Sequence, residues 1–199
     1  LHLEVTDRQF TIEDGVAHGY AHRLVRTFVT DLTQDEDRLL ANMTSACRRA
    51  IRKAEKSGVT VEVADPEGFA EEYHAQLCDV FAKQGLRPTY SPARVQQLID
   101  HVHPSGDLLL LRVRDPEGRC IATGIFPGFN TFSFFWGNAS LREHQILRPN
   151  EAVHWFAMRH WKQRGMRQHD WGGANPYKAK YGVVPYATVA LRRSRHALI

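Results

Sequence analysis

Cysteine is scarce in this chain: three residues in 199, Cys47, Cys78 and Cys120, with no C-x-x-C pair among them. That excludes a disulfide framework and the common cysteine-bearing zinc sites. Three reduced core thiols in a reducing compartment are expected instead. Long apolar runs are missing too. Stretches such as Leu108-Leu109-Leu110-Leu111 fall far short of the roughly 20 residues that a membrane-spanning helix needs. Histidine is plentiful, at eleven, but no H-E-x-x-H spacing occurs and no metal is assigned. Also absent are G-x-S-x-G, G-x-x-x-x-G-K-[ST] and the G-x-G-x-x-G fingerprint. With them go the sequence signs of a serine hydrolase, a P-loop nucleotidase and a dinucleotide site. No resident cofactor is expected.

What remains is an ordinary globular composition, 43% hydrophobic and 24% charged, enough for one domain with its own core. Lys and Arg (26) outnumber Asp and Glu (22), for a formal charge of +4. A phosphate-bearing partner is compatible with that charge but not required by it. Residues 1–31 alternate as strands do (Leu1, Leu3, Val5, then Leu24, Val25, Phe28, Val29), broken at Gly15 and Gly19. So few short strands make no stable sheet alone. They are expected to belong to a larger sheet or to be the tail of an upstream unit, with the main domain over 32–199.

Thr33 and Glu36 have capping-box spacing, and Leu40, Met43, Cys47, Ile51 and Ala54 recur at helical spacing up to Gly58. Residues 59–63 read as a strand. Asp65-Pro66 and Ser91-Pro92 open two further helices, reaching Phe81 and Val102. Residues 108–114, 120–126 and 132–136 form a meander, with Asp115-Pro116-Glu117-Gly118 as its first turn. A helix capped by Asn150 carries Val153, Phe156, Ala157 and Trp161 and stops at Gly165. Strands at 168–171 and 186–191 follow. This order predicts an α/β (α+β) domain, a mixed sheet with helices packed on it.

Three segments carry possible chemistry. In the basic helix, Arg48, Arg52 and Lys56 share one face and can converge on a phosphate, or form a plain solvated face. The loop Gly172-Gly173-Ala174-Asn175-Pro176-Tyr177-Lys178 follows a strand end. There glycines let a backbone approach a ligand and Lys178 can face a developing oxyanion. The same sequence also suits an ordinary glycine turn. Asp170 can accept a proton or orient an amine, or cap the loop through backbone bonds. Trp136, Trp155, Trp161 and Trp171 read as core or pocket walls.

Together these segments resemble the Fem-type aminoacyltransferases, the peptidoglycan interpeptide-bridge enzymes, from about Leu32 to Gly182. The resemblance rests on three stretches. One is Arg48-Arg49-Ala50-Ile51-Arg52-Lys53-Ala54-Glu55-Lys56-Ser57-Gly58-Val59. Another is Arg148-Pro149-Asn150 with Trp155, Gly165 and Asp170-Trp171-Gly172-Gly173. The third is Tyr177-Lys178-Ala179-Lys180-Tyr181-Gly182. In the last, Tyr177 and Tyr181 stand where the family has Phe.

The resemblance implies a GNAT-like, largely antiparallel mixed sheet with helices on both faces. It implies transfer of an amino acid from aminoacyl-tRNA to an amine on the stem peptide of a lipid- or nucleotide-linked precursor. Arg48 would then contact a precursor phosphate and Lys178 would lie at the acyl-transfer centre. The candidate set is Lys178 and Asp170 as catalytic groups, with Arg48, Arg49, Arg52, Trp171, Gly172, Gly173, Tyr177 and Tyr181 binding substrate. Work in the cytoplasm, with peripheral association at the inner face of the membrane, follows from such a substrate.

The helical hairpin that some members insert is absent between Lys56 and Arg148. Acyl-CoA is the alternative donor. The segment His144-Gln145-Ile146-Leu147-Arg148-Pro149-Asn150 has no glycine to expose backbone amides to a pyrophosphate, which weighs against it. A non-catalytic precursor- or RNA-binding module is the third reading.

Overall fold

The computed structural model describes residues 2–7, 10–82 and 85–194; Leu1 lies outside them. Among the described residues nine strands form one open sheet: β1 (His2–Asp7), β2 (Ala21–Asp31), β3 (Thr60–Val63), β4 (Leu108–Arg114), β5 (Cys120–Phe129), β6 (Phe132–Phe134), β7 (Gly137–Ser140), β8 (Gln168–Asp170) and β9 (Val184–Ser194). The order across it is β1-β9-β2-β8-β6-β5-β4-β3, with β7 also on β5. The β6–β8 pair is parallel and the other pairs are antiparallel. The helices are α1 (Ile12–Ala17), α2 (Glu36–Asn42), α3 (Ser45–Lys56), α4 (Phe69–Ala82), α5 (Pro92–Val102) and α6 (Pro149–Gln163).

The leucine run of β4 explains the layering. Successive side chains of a strand point to opposite faces. Leu109 and Leu111 accordingly join the core made with Cys47 and Ile51 of α3 and Val153, Ala157 and Trp161 of α6. Leu108 and Leu110 join the other core, with Phe69, Tyr73 and Leu77 of α4 and Val95 and Ile99 of α5. A strand covered on both faces needs apolar residues at every position, and that is what the run supplies.

The parallel β6–β8 pair decides where a ligand can enter. Its register runs Phe132↔Gln168, Ser133↔His169, Phe134↔Asp170, and the last bond is Phe135 N–H to the Asp170 carbonyl, 2.8 Å. Beyond it the strands part. The Trp136 N–H turns back to the Ile125 carbonyl (3.2 Å), while that of Trp171 bonds the Phe28 carbonyl (2.9 Å). Helix α6, which connects β7 to β8, packs against β4 and β5 beside this gap.

Several local expectations change. The single helix expected from Thr33 to Gly58 is two, because Thr44 caps α3 through the Cys47 N–H (3.2 Å) and Met43 is extended. Asp35, not Thr33, caps α2, by accepting from the Arg38 N–H (2.7 Å). Thr33 is held instead by Asp31. Asn150 lies inside α6, whose N-cap is Arg148 in the left-handed region, and its Oδ1 accepts from Asn138 Nδ2 (2.7 Å). The third meander strand, expected over 132–136, ends at Phe134 as β6, and β7 (Gly137–Ser140) was not anticipated. Helix α1, capped by the reciprocal Thr11–Asp14 box, was not anticipated. Of the three cysteines only Cys47 is fully buried; Cys78 and Cys120 are half-buried and all three are free.

Whatever unit precedes them in a longer protein, residues 2–7 and 21–31 are hydrogen-bonded into this sheet. β9 has β1 on one side and β2 on the other, and β2 also holds β8. A chain starting at Thr33 removes both neighbours of β9. It is expected to lose the cooperative thermal transition of the full chain, read by circular dichroism. An unchanged melting temperature would show that the first two strands are dispensable.

Candidate active site

At the gap between β7 and β8 the residues 170–182 form a tight loop and 3₁₀ turn. Gly172 has φ +63°, and a Cβ there would stand 2.8 Å from the Phe135 carbonyl oxygen, so side chains are excluded on two counts. Asp170 closes the loop: its Oδ1 accepts from Thr27 Oγ1 (2.6 Å) and from the Gly172 N–H (2.8 Å), and the Gly173 N–H donates to Thr27 Oγ1 (2.9 Å). The geometry displays the loop-capping role of Asp170. Trp171 is fully buried, stacks on Tyr181 (centroids 4.4 Å) and donates Nε1–H to Thr30 Oγ1 (3.0 Å).

Lys178 is buried at 6% exposure. Its ammonium donates to the carbonyl of Trp171 and approaches those of Gly172 (3.4 Å) and Gly173 (3.5 Å). It also sits 5.1 Å from the centre of the Phe135 ring. Burial lowers its pKa from the ordinary lysine range, and Asp170 opposes the fall. The charge therefore clamps the loop from inside.

The basic helix meets this loop, since Thr44 N–H donates to the Lys180 carbonyl (3.0 Å). Arg48 does not face the gap. Its guanidinium caps the end of α2, bonding the carbonyls of Met43 and Ala41 (3.1 Å). Arg49 and Lys53 line a cleft of about 460 Å³ together with Arg148, Lys180 and Glu151. The face that lines the cleft is thus 49/53 rather than 48/52/56; Arg52 and Lys56 are exposed and do not line it. Lys180 and the largely buried Glu151 carboxylate are 2.6 Å apart, which leaves Arg49, Lys53 and Arg148 without that local compensation.

A second cleft of about 210 Å³ shares Lys180 and has a largely uncharged wall: Asn138, Ser140, Gln145, Asn150, His154, Tyr177 and Tyr181. His154 is buried and its Nδ1 has no hydrogen-bond partner among the described residues. Phe135 (4.7 Å), Trp171 (4.9 Å) and Tyr181 (5.0 Å) surround its ring. Burial, then His169, Lys180 and Lys178, push the imidazole well below its ordinary pKa.

Of the residues expected from sequence, the structure gathers Asp170, Trp171, Gly172, Gly173, Tyr177, Lys178 and Tyr181 at the gap, adds Arg49, and leaves Arg48 and Arg52 aside. Lys53, Arg148, Glu151, His154 and Lys180 were missed. Lys53 follows Arg49 at i+4 and Lys180 follows Lys178 at i+2, signals that spacing alone could have flagged. The contribution of Arg148 depends on its left-handed backbone, which spacing does not reveal.

A mixed sheet whose parallel strands part over a polar cleft, with cationic side chains on one flank, defines an acyltransferase of the GNAT fold. The chain belongs to the acetyltransferase (GNAT) domain family, whose model matches residues 41–179. Among solved structures it is similar to FemX, at 15% identity and a TM-score of 0.80, over 94% of this chain and 71% of that one. It is also similar to the C-terminal domain of a putative lysylphosphatidylglycerol synthetase from Agrobacterium fabrum (13%, TM-score 0.66, 92% and 65%). A third is L-PGS from Bacillus licheniformis (14%, TM-score 0.62, 97% and 68%). The chain thus spans about two thirds of the length of these structures. No curated protein sequence matches it.

The state of His154 is testable through stability. A histidine whose folded pKa lies below its unfolded value contributes no pH dependence above about 6.5, and lowers stability as pH falls further because the unfolded chain binds the extra proton. His154→Phe is expected to be at least as stable as wild type at pH 7, since an unpartnered buried nitrogen is removed. Between pH 6.5 and 5 it should lose less, by up to about 1.4 kcal/mol per pH unit. Urea titrations at the two pH values measure this. Equal losses would place the wild-type ring in contact with water.

Proposed function

We propose that the protein is an aminoacyltransferase that moves an amino acid from aminoacyl-tRNA to an amine on the stem peptide of a lipid- or nucleotide-linked peptidoglycan precursor. The observation that carries this reading is the pair of adjoining clefts. The first offers Arg49, Lys53 and Arg148 to an anionic group, and the second offers neutral polar and aromatic walls to the reacting end. Phosphate suits the first by charge-assisted hydrogen bonding. The three sequence stretches resembling Fem-type enzymes support the same reading, as does the similarity in fold to FemX. Among the described residues no helix is long and apolar enough to cross a membrane. A membrane-linked precursor would be met at the inner membrane surface, as the Fem-type resemblance implies.

The step needs no covalent enzyme intermediate. The acceptor amine attacks the ester carbonyl, the C–N bond forms, and the C–O bond to the tRNA ribose breaks. The amine's proton ends on the departing ribose hydroxyl. The protein contributes placement and charge stabilisation. Lys178 lines neither cleft, its ammonium lying on the loop carbonyls; in this reading its charge acts on an oxyanion formed at the Gly172-Gly173 loop, while Asp170 holds the loop's shape.

The alternative donor is acyl-CoA, in keeping with the description of the matching family model. Two features of α6 weigh against it: Pro149 has no N–H to offer a pyrophosphate, and the Glu151 carboxylate already sits in the first turn.

Mass spectrometry after incubation with charged tRNA and a nucleotide-linked precursor should show one added amino acid. Calorimetry should show no micromolar acetyl-CoA binding. The reverse pair of results would establish the acyl-CoA reading. In the tRNA-dependent assay Lys178→Met is expected to lower kcat by roughly 10²–10³ with a much smaller change in KM. A raised KM at normal kcat would make Lys178 a phosphate grip instead.

A further inference from the structure

Away from these clefts, a nucleophile and a base meet over a hollow of about 600 Å³ beside the α4–α5 connection. His74 and Cys78 are one turn apart on α4, and Cys78 Sγ lies 3.6 Å from His74 Nδ1. Across the ring, His74 Nε2 lies 3.0 Å from the Tyr90 carbonyl oxygen. A carbonyl only accepts, so Nε2 carries the ring proton. In the neutral imidazole Nδ1 is then the bare lone pair, and the Cys78 S–H is its donor. Nucleophile, base and orienting acceptor stand in a row, the arrangement that activates a side-chain nucleophile.

The other two thiols contrast with it. Burial pushes the pKa of Cys47 and of Cys120 up to about 11, and neither lines this hollow. Cys78 does, half-buried, beside Ala82, Leu86, Pro88 and Pro92, with the exposed Arg87 on the same wall. Leu86 is 56% exposed. An apolar wall with one cation fits an acyl chain on an anionic carrier.

We propose that Cys78 is a second acyl acceptor, a thiol that takes an acyl group from a thioester with His74 as its base. As sulfur attacks the thioester carbonyl, the thiol proton passes to His74 Nδ1. The tetrahedral adduct then collapses, the bond from carbon to the departing sulfur breaks, and His74 returns the proton to that thiolate. S-acyl-Cys78 and one free thiol result, with no oxidant or reductant needed. The inference is independent of the donor used at the main clefts, and repeating the acetyl-CoA calorimetry with Cys78→Ser keeps the two sites distinguishable.

The test uses the full chain at pH 7. Iodoacetamide labelling is followed by peptide mass spectrometry with N-acetylcysteine as reference thiol, and acetyl-CoA and octanoyl-CoA serve as acyl probes. Cys78 is expected to alkylate faster than N-acetylcysteine and at least about tenfold faster than Cys47 or Cys120. It should also gain a hydroxylamine-labile acyl group. His74→Gln places an amide donor near the Tyr90 carbonyl but removes the base. It should lower both reactions at least about tenfold at an unchanged melting temperature. The wild-type rates are read directly, so the test stands even if that variant folds poorly. Reaction no faster than N-acetylcysteine, or no adduct from either thioester, overturns the proposal.

Discussion

Three residue pairs of parallel pairing between β6 and β8, closed by the bond from Phe135 N–H to the Asp170 carbonyl, set the rest of the structure. Pairing there fixes the point where the sheet opens. One residue further on, the two chains are claimed by different neighbours, β5 on one side and β2 on the other. The gap is thus a consequence of competing backbone hydrogen bonds, each satisfied elsewhere. The Gly172 turn, the Thr27–Asp170 bonds and the Lys178 clamp all lie at that opening. Loss of any of them would let the loop move relative to the clefts.

Charge is distributed around the opening with a purpose that net charge conceals. Glu151 and Lys180 neutralise each other at 2.6 Å where the two clefts meet. The first cleft keeps three further cations, Arg49, Lys53 and Arg148, whereas the walls of the second are otherwise neutral. Lys178 is walled in by aromatic rings and loop carbonyls, and His154 is kept neutral in an aromatic cage. In the proposed function an anionic group is drawn to the cationic cleft and the reacting end meets the largely neutral one. Such division suits acyl transfer, where binding and chemistry need different surroundings.

Much of the fold was legible in the sequence because its signals are local. The Leu108–Leu111 run marks a doubly covered strand, and the spacing of Cys47, Ile51 and Ala54 marks the buried side of α3. Capping competition was not legible: Thr33–Glu36 has the right spacing, but Asp35 and Thr44 win the amides and split the helix. The loop at 170–178 stood out in the sequence by its glycines and its place after a strand, and it lies at the opening of the sheet. The basic face was misread because helical spacing shows which residues share a face without showing which face meets another element. Arg48 turned out to cap α2, and Arg49 with Lys53 to meet α6. The partners of that cleft come from residues 148–180, a hundred positions away, and no local pattern links them.

The proposed function depends on an anionic substrate being held between α3 and the start of α6 by the two α3 cations that line the cleft, Arg49 and Lys53. Calorimetric binding of a nucleotide-linked precursor at about 150 mM salt to two charge-matched double variants tests it most directly. One is Arg49→Glu with Lys53→Glu, on the cleft; the other is Arg52→Glu with Lys56→Glu, off it. Loss of two charge-assisted hydrogen bonds should weaken binding by at least about 100-fold in the first, while the second stays within about threefold because Arg52 and Lys56 do not line the cleft and surface charges away from the ligand are screened. Equal weakening in both, or none in either, would contradict the account.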